Sequence, residues 1–150
     1  MYLYLAIAFG NFTVGWLSQQ LKSRKKTLFI FYGITLLFMV LFFLQHGGTA
    51  NSFYVICMGL GFGAGLNVVY LTFGVEQFGT NLRASAAISI PNMVRGALPL
   101  IILLFQFTRN FFNDYITGAW VAGALIFAIA IVAALFIKES YGKDLDFLEV

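Results

Sequence analysis

From Thr27 to Leu44 the chain runs for 18 residues without a charged side chain, and from Tyr115 to Ile137 it does so for 23. These runs decide what the rest can be. A core helix of a soluble protein keeps one polar face, whereas these segments are apolar all round, as a helix is when its solvent is lipid. Three further runs share the pattern: Met1 to about Leu17, Phe53 to Gly74, and about Ser85 to Gln106, the last interrupted by Arg95. Each is near the length of about 20 residues that crosses a roughly 30 Å hydrocarbon core. The apolar residues are continuous rather than alternating, so helices are expected and barrel strands are not. The expected fold class is all-α, a polytopic membrane helix bundle of five transmembrane helices. They are placed at about 1–17, 27–44, 53–74, 85–106 and 115–137, with a tail at 138–150.

Composition agrees. Of 150 residues 61% are hydrophobic and only 10% charged, against about 25% charged in a soluble domain. So few charges cannot cover a soluble surface. That excludes a soluble enzyme, a nucleic-acid-binding domain and a disordered tail. Cys57 is the only cysteine, so no intrachain disulfide can form. The start, MYLYLAIAFG, has no basic region and no small-residue cleavage site. It does not read as a secretory signal.

The basic residues set an orientation. Lys22, Arg24, Lys25 and Lys26 lie in the first loop, Arg83 in the third, and Lys138 and Lys143 in the tail, while Arg109 stands alone on the opposite side. With five crossings, the first loop, third loop and tail are cytoplasmic by the positive-inside rule. The first helix then starts outside. An odd number of crossings from an outside start is expected of a piece of a larger transporter; the rival is a small membrane protein that assembles with partners.

Small and polar residues in a lipid-embedded helix usually face protein. In the third run Gly59/Gly63 and Gly61/Gly65 form two overlapping small-xxx-small pairs. They fit either tight helix packing or a rocking helix beside a pathway. Asn67 follows as an interhelical hydrogen-bonding group or a pathway donor. In the fourth run Pro91 and Pro99 each remove a backbone donor, so this helix is expected to bend or unwind. Between them lie Asn92, Arg95 and Gly96. An arginine near the midplane costs at least about 2.5 kcal/mol and should face the bundle interior. Three readings of Arg95 stay open: a salt bridge to an acid on another helix, a substrate or coupling role, and a snorkelling side chain. In the third loop, Glu76 and Arg83 either pair with each other or latch onto another cytoplasmic loop as an inner gate.

Enzyme chemistry is not expected, and neither is a cofactor. His46 is the only histidine, so a Ser/His/Asp arrangement and a zinc site both lack residues. GLGFGAG lies in mid-helix with no preceding strand and no lysine, so it is not a phosphate-binding loop.

The stretch GWLSQQLKSRKKTL resembles the loop between the second and third helices of each half of a major facilitator superfamily transporter. That loop follows roughly G-x-L-x-D-R-x-G-x-R-[RK]. Gly15, Leu17, Arg24 and Lys25 match; Gln19 stands where the family has its acid, and Lys22 where it has its second glycine. EQFGTNLRASAA resembles the link between the tenth and eleventh helices. PNMVRG and the tail ESYGKDLDFLE resemble bacterial members, including metabolite–proton symporter relatives. The resemblance implies the C-terminal helices eight to twelve of a twelve-helix protein in the bacterial inner membrane, with the C-terminus cytoplasmic. It implies secondary active transport of a small polar or anionic solute by alternating access, with protons as candidate coupling ion and the N-terminal helices of the same transporter as partner. The rival from another class is a non-transporting membrane scaffold or assembly subunit that docks through its glycine face.

Overall fold

A computed structural model of the chain describes residues 1–45 and 48–142. Tail residues 143–150 (Lys143 among them) and His46 lie outside the described residues. Every regular element described is an α-helix: α1 (Tyr2–Gln20), α2 (Arg24–Leu44), α3 (Ala50–Ala64), α4 (Asn67–Val75), α5 (Thr80–Gly96), α6 (Leu98–Phe112) and α7 (Tyr115–Phe136). Four spans among them are long and apolar enough to cross a membrane: α2, α3 with α4, α5 with α6, and α7. The other expected crossing, α1, carries Asn11, Thr13, Ser18, Gln19 and Gln20 along its 19 residues and is not among these four.

The two composite spans are broken at particular residues. Leu66 and Ala97 mark the interruptions. Pro99 has no N–H to give the Arg95 carbonyl, and it follows Gly96, a weak helix former. Pro91 lies inside α5, which continues past it to Gly96. Of the two prolines expected to bend or unwind this run, Pro99 follows an interruption at Ala97, while the helix is not interrupted at Pro91. The break at Leu66 was not expected; it ends a run of four glycines in seven residues, where helix propensity is lowest.

Those glycines divide their work. A Cβ on Gly59 would collide with the Phe38 ring, and one on Gly63 with Thr35, both on α2. A Cβ on Gly61 would stand 2.7 Å from the Leu3 carbonyl, and one on Gly65 would run into the Gly10 backbone, both on α1. One small-residue pair thus admits α2 and the other admits α1. The contacts Leu3–Gly61 and Gly10–Gly65 advance together along both helices, so α1 and α3 run in parallel. The core beneath this crossing is Val14, Leu28, Phe31, Val69 and Ala134, with Phe62 stacked on Phe31 at 5.3 Å between ring centroids.

α7 packs on α6 and α2. Thr108 Oγ1 donates to the Gly118 carbonyl at 2.9 Å, and a Cβ on Gly118 would lie 2.6 Å from the Arg109 Cα. In the turn before α7, Asn113 adopts the left-handed conformation (φ 51°), and the Asp114 carboxylate accepts from Thr117 N–H at 2.7 Å, capping the helix.

Gly65→Leu should destabilise the bundle by about 3 kcal/mol, because backbone of α1 cannot rotate away from the new side chain. Gly15→Ala should stabilise it by about 0.5–1 kcal/mol, since Gly15 has open space around it in mid-helix. Thermal unfolding of the two variants in one detergent reads both signs.

Candidate functional site

Two arrangements bear on function. The first is the connection end of the bundle, where the 21–23 turn, the 76–79 turn and the segment after α7 meet. Arg24 opens α2, and its guanidinium grips Glu76 at the end of α4: NH2 to Oε1 at 2.9 Å and Nε to Oε2 at 3.3 Å. NH1 donates to Ser18 Oγ on α1 at 2.8 Å. Ser140 Oγ donates to Glu76 Oε2 at 2.6 Å, and the Tyr141 ring lies 5.5 Å from the Arg24 guanidinium carbon. The pair keeps only 20% and 15% of its side-chain surface exposed. A two-point pair shielded this far holds geometry that an open surface pair would not.

Glu139 completes the junction. Its carboxylate accepts from the backbone N–H of Arg24 at 2.9 Å and of Lys25 at 3.1 Å. These amides open α2 and have no partner within the helix, and the helix dipole favours an anion there. Ser23 Oγ also donates to Glu139, in a short bond. Partial burial pushes the Glu139 carboxyl up, but the bonds from Ser23 and from the amides of Tyr141, Lys25 and Arg24 outweigh it and hold the group below its ordinary value. In return Lys25 Nζ donates to the carbonyls of Leu135 and Ile137 at 2.7 and 3.2 Å, where α7 ends. The start of α2 and the end of α7 thus cap each other.

Sequence reasoning anticipated part of this. Glu76 latches onto another loop, one of its two expected options, with Arg24 as partner. Arg83 donates to the Phe78 carbonyl at 3.4 Å. Gln19, where the resembled motif has an acid, does not leave this turn without an anion, because Glu76 and Glu139 arrive from other elements. Lys22, where the resembled motif has glycine, adopts φ 47°, the left-handed conformation that glycine takes without strain. Gly15 has no neighbour that a Cβ would meet, and Leu17 packs against the core. Glu139, Ser140, Ser18 and Ser23 were missed as a site. The one available signal was that Glu139 is the first acid after the last apolar run.

The second arrangement is the middle of the longest span. Arg95 lies fifteen residues from Thr80 and seventeen from Phe112 in the 33-residue α5–α6 span. It is exposed, as is Asn92 one turn earlier. Among the described residues no hydrogen-bond or ion-pair partner meets its guanidinium. Asn67, also exposed, opens α4 just after the Leu66 break. No hydrogen bond among the described residues joins Asn67 to Arg95 or Asn92. Around Arg95 the surface is apolar: Met93 is 75% exposed and Leu100 68%. No residue of this span's most apolar window is buried inside the bundle.

No family model, curated protein or solved structure matches this chain.

The capping of α2 by Glu139 gives the junction a pH dependence. A carboxyl held below its ordinary value contributes stability that is fully present above about pH 4.3 and is lost as pH falls through the lowered value. Melting between pH 7 and pH 3 should therefore show an acid-side loss that Glu139→Gln flattens. In a double-mutant cycle, Arg24→Ala and Glu76→Ala should couple by about 1–3 kcal/mol. Lys22→Gly should raise stability by about 1 kcal/mol by relieving the left-handed backbone.

Proposed function

We propose that this chain is part of a secondary transporter of the major facilitator kind, moving a small polar or anionic solute across a membrane by alternating access. The observation that carries the reading is Arg95, a guanidinium without a partner among the described residues at the middle of the longest apolar span, two residues before the Ala97 break and one turn before Pro99. A charge kept at that depth, at a cost of at least about 2.5 kcal/mol, needs an anionic group or water opposite it. The Pro99 break supports the same reading. Pro99 withholds its usual donor from the Arg95 carbonyl, and irregular backbone at membrane depth is tolerated only where it is buried in protein or lines a water-filled cavity. In this reading Arg95 attracts the anionic part of the solute, Asn92 adds a neutral hydrogen-bonding group on the same face, and Asn67 is a polar group on the neighbouring helix.

The junction of Arg24, Glu76, Glu139 and Ser140 fits the gate of such a machine. Alternating access needs an end of the bundle whose ionic contacts form in one state and open in the other. In this reading this end and the C-terminus face the cytoplasm, with α1 as a fifth crossing; the excess of basic residues in the loops at this end supports it. An alternating-access cavity also needs a second bundle facing the Arg95 strip, supplied by further helices of the same polypeptide or by a partner. Proton coupling would then rest on an acid in that second bundle.

The test is uptake of a panel of radiolabelled carboxylates, phosphorylated sugars and amino acids by cells expressing the native gene. Arg95→Ala should reduce uptake at least about tenfold while membrane expression holds, because removing an unpaired intramembrane charge does not destabilise a helix in lipid. Arg95→Lys should retain part of the rate if only a point charge is required. Unchanged uptake by Arg95→Ala would sink the proposal and favour a scaffold that docks through its glycine face.

A further inference from the structure

The polar residues of the longest span are not scattered. From Ser85, alternate steps of four and three residues reach Ser89, Asn92, Gln106 and Asn110, and each of these is exposed. The steps between Asn92 and Gln106 fall on Gly96, Pro99 and Leu103, also exposed, of which Leu103 alone has a large apolar side chain. A mean step of about 3.6 residues keeps to one face of a helix. Ala97, between α5 and α6, keeps right-handed helical angles (φ −75°, ψ −17°), so the face crosses the interruption without turning away. Arg95 stands about 60° round the helix from Asn92, at the edge of this face.

The other sides of the span differ. Met93, Leu100 and Phe107 follow at seven-residue intervals and are each more than two-thirds exposed. Each is the next residue after a member of the polar series, hence about 100° round from it. That side has the composition of a lipid contact. A third side belongs to the bundle: Ala86 is buried, Ile90 lies over Gly74 of α4, and Thr108 donates to Gly118 of α7. Hydrocarbon cannot serve amides, hydroxyls and a guanidinium at successive levels of one face. A single neighbouring helix would need a matching group at every level and an acid beside Arg95. Water meets all of these groups without being matched to any.

We propose that this polar face of α5 and α6 is the wetted wall of the solute pathway through the whole thickness of the membrane. Ser85 and Ser89 offer the passing solute hydrogen bonds on one side of Arg95, and Gln106 and Asn110 do so on the other. The proposal rests on the transporter reading for the solute. It adds which side of which helix is wet, and that the wet side extends well beyond Arg95. By helical rise Ser85 and Asn110 stand about 15 and 22 Å from Arg95. One cation thus lies between two neutral limbs, so an anion is held at Arg95 and passed along by groups that bind it weakly.

The experiment is cysteine scanning of the native gene product in membrane sheets open on both sides, with Cys57→Ser as background and a charged, membrane-impermeant thiol reagent as probe. Ser85→Cys, Ser89→Cys, Asn92→Cys, Gln106→Cys and Asn110→Cys should react at least about tenfold faster than Met93→Cys, Leu100→Cys and Phe107→Cys, because the reactive thiolate forms in water and not in hydrocarbon. The pattern is read over eight positions, so the loss of one variant leaves it decided, and titration after denaturation confirms that each thiol is present. Equal rates in the two series would overturn the proposal. So would slow reaction throughout, as lipid or a packed helix over the face would give. The labelling needs no solute. Fast labelling of the polar series without uptake of any solute would therefore count against transport and leave the wetted face standing, whereas uptake with an unlabelled series would remove the wall alone.

Discussion

In hydrocarbon no water is available to a stray N–H or C=O, and the rest of this structure follows from that constraint. It makes every long apolar run a helix, since only a helix closes its own backbone bonds. It also makes each departure from a helix informative. The Leu66 break lies where Gly10 and Asn11 of α1 press on Gly65. The Ala97 break lies on the surface that carries Arg95. In both places the chain gives up regular hydrogen bonds where other helices, water or a bound group would have to make good the loss.

The same constraint explains how the bundle is held. In lipid, apolar area offers little reason for one helix to prefer another, so close backbone approach and polar cross-links decide the pairing. The two offset glycine pairs let α1 and α2 approach α3 from different sides. At the connection end, the ionic junction ties α1, α2, α4 and the segment after α7 together through Arg24, Glu76, Glu139 and Ser140. A packed middle and an ionic end have different sensitivities. The middle responds to volume, and the end responds to charge and pH.

Much of the architecture was legible in advance because it follows from composition and local order. Charge-free runs mark spans, and the loop charges mark which turns share a side: the three predicted to lie together do meet, through Arg24, Glu76 and Glu139. Gly59 through Gly65 announced a packing surface. What the pattern did not say was that alternate members of the run serve two different helices, since that depends on where α1 and α2 lie. The prolines were legible as breakers but not as unequal ones. Pro91 is absorbed within α5, and Pro99, after Gly96, ends it. The partner of Arg24 was hidden because the residue that answers it locally in the resembled motif is Gln19. The substitutes come from 52 and 115 residues further along the chain.

The sequence by itself determined that the long apolar runs are helical and where each unusual residue falls along its run, because these depend on side chains and their spacing along one helix. It placed Arg95 near mid-span and Asn67 just beyond the glycines. Only the tertiary structure decided which groups are satisfied. Arg24 and Glu139 found partners, while Arg95 and the Asn11 oxygen have none among the described residues. A hydrogen bond or an ion pair is a relation between elements, and the crossing of the helices, not the order of residues along any one of them, sets which elements come within 3 Å of each other.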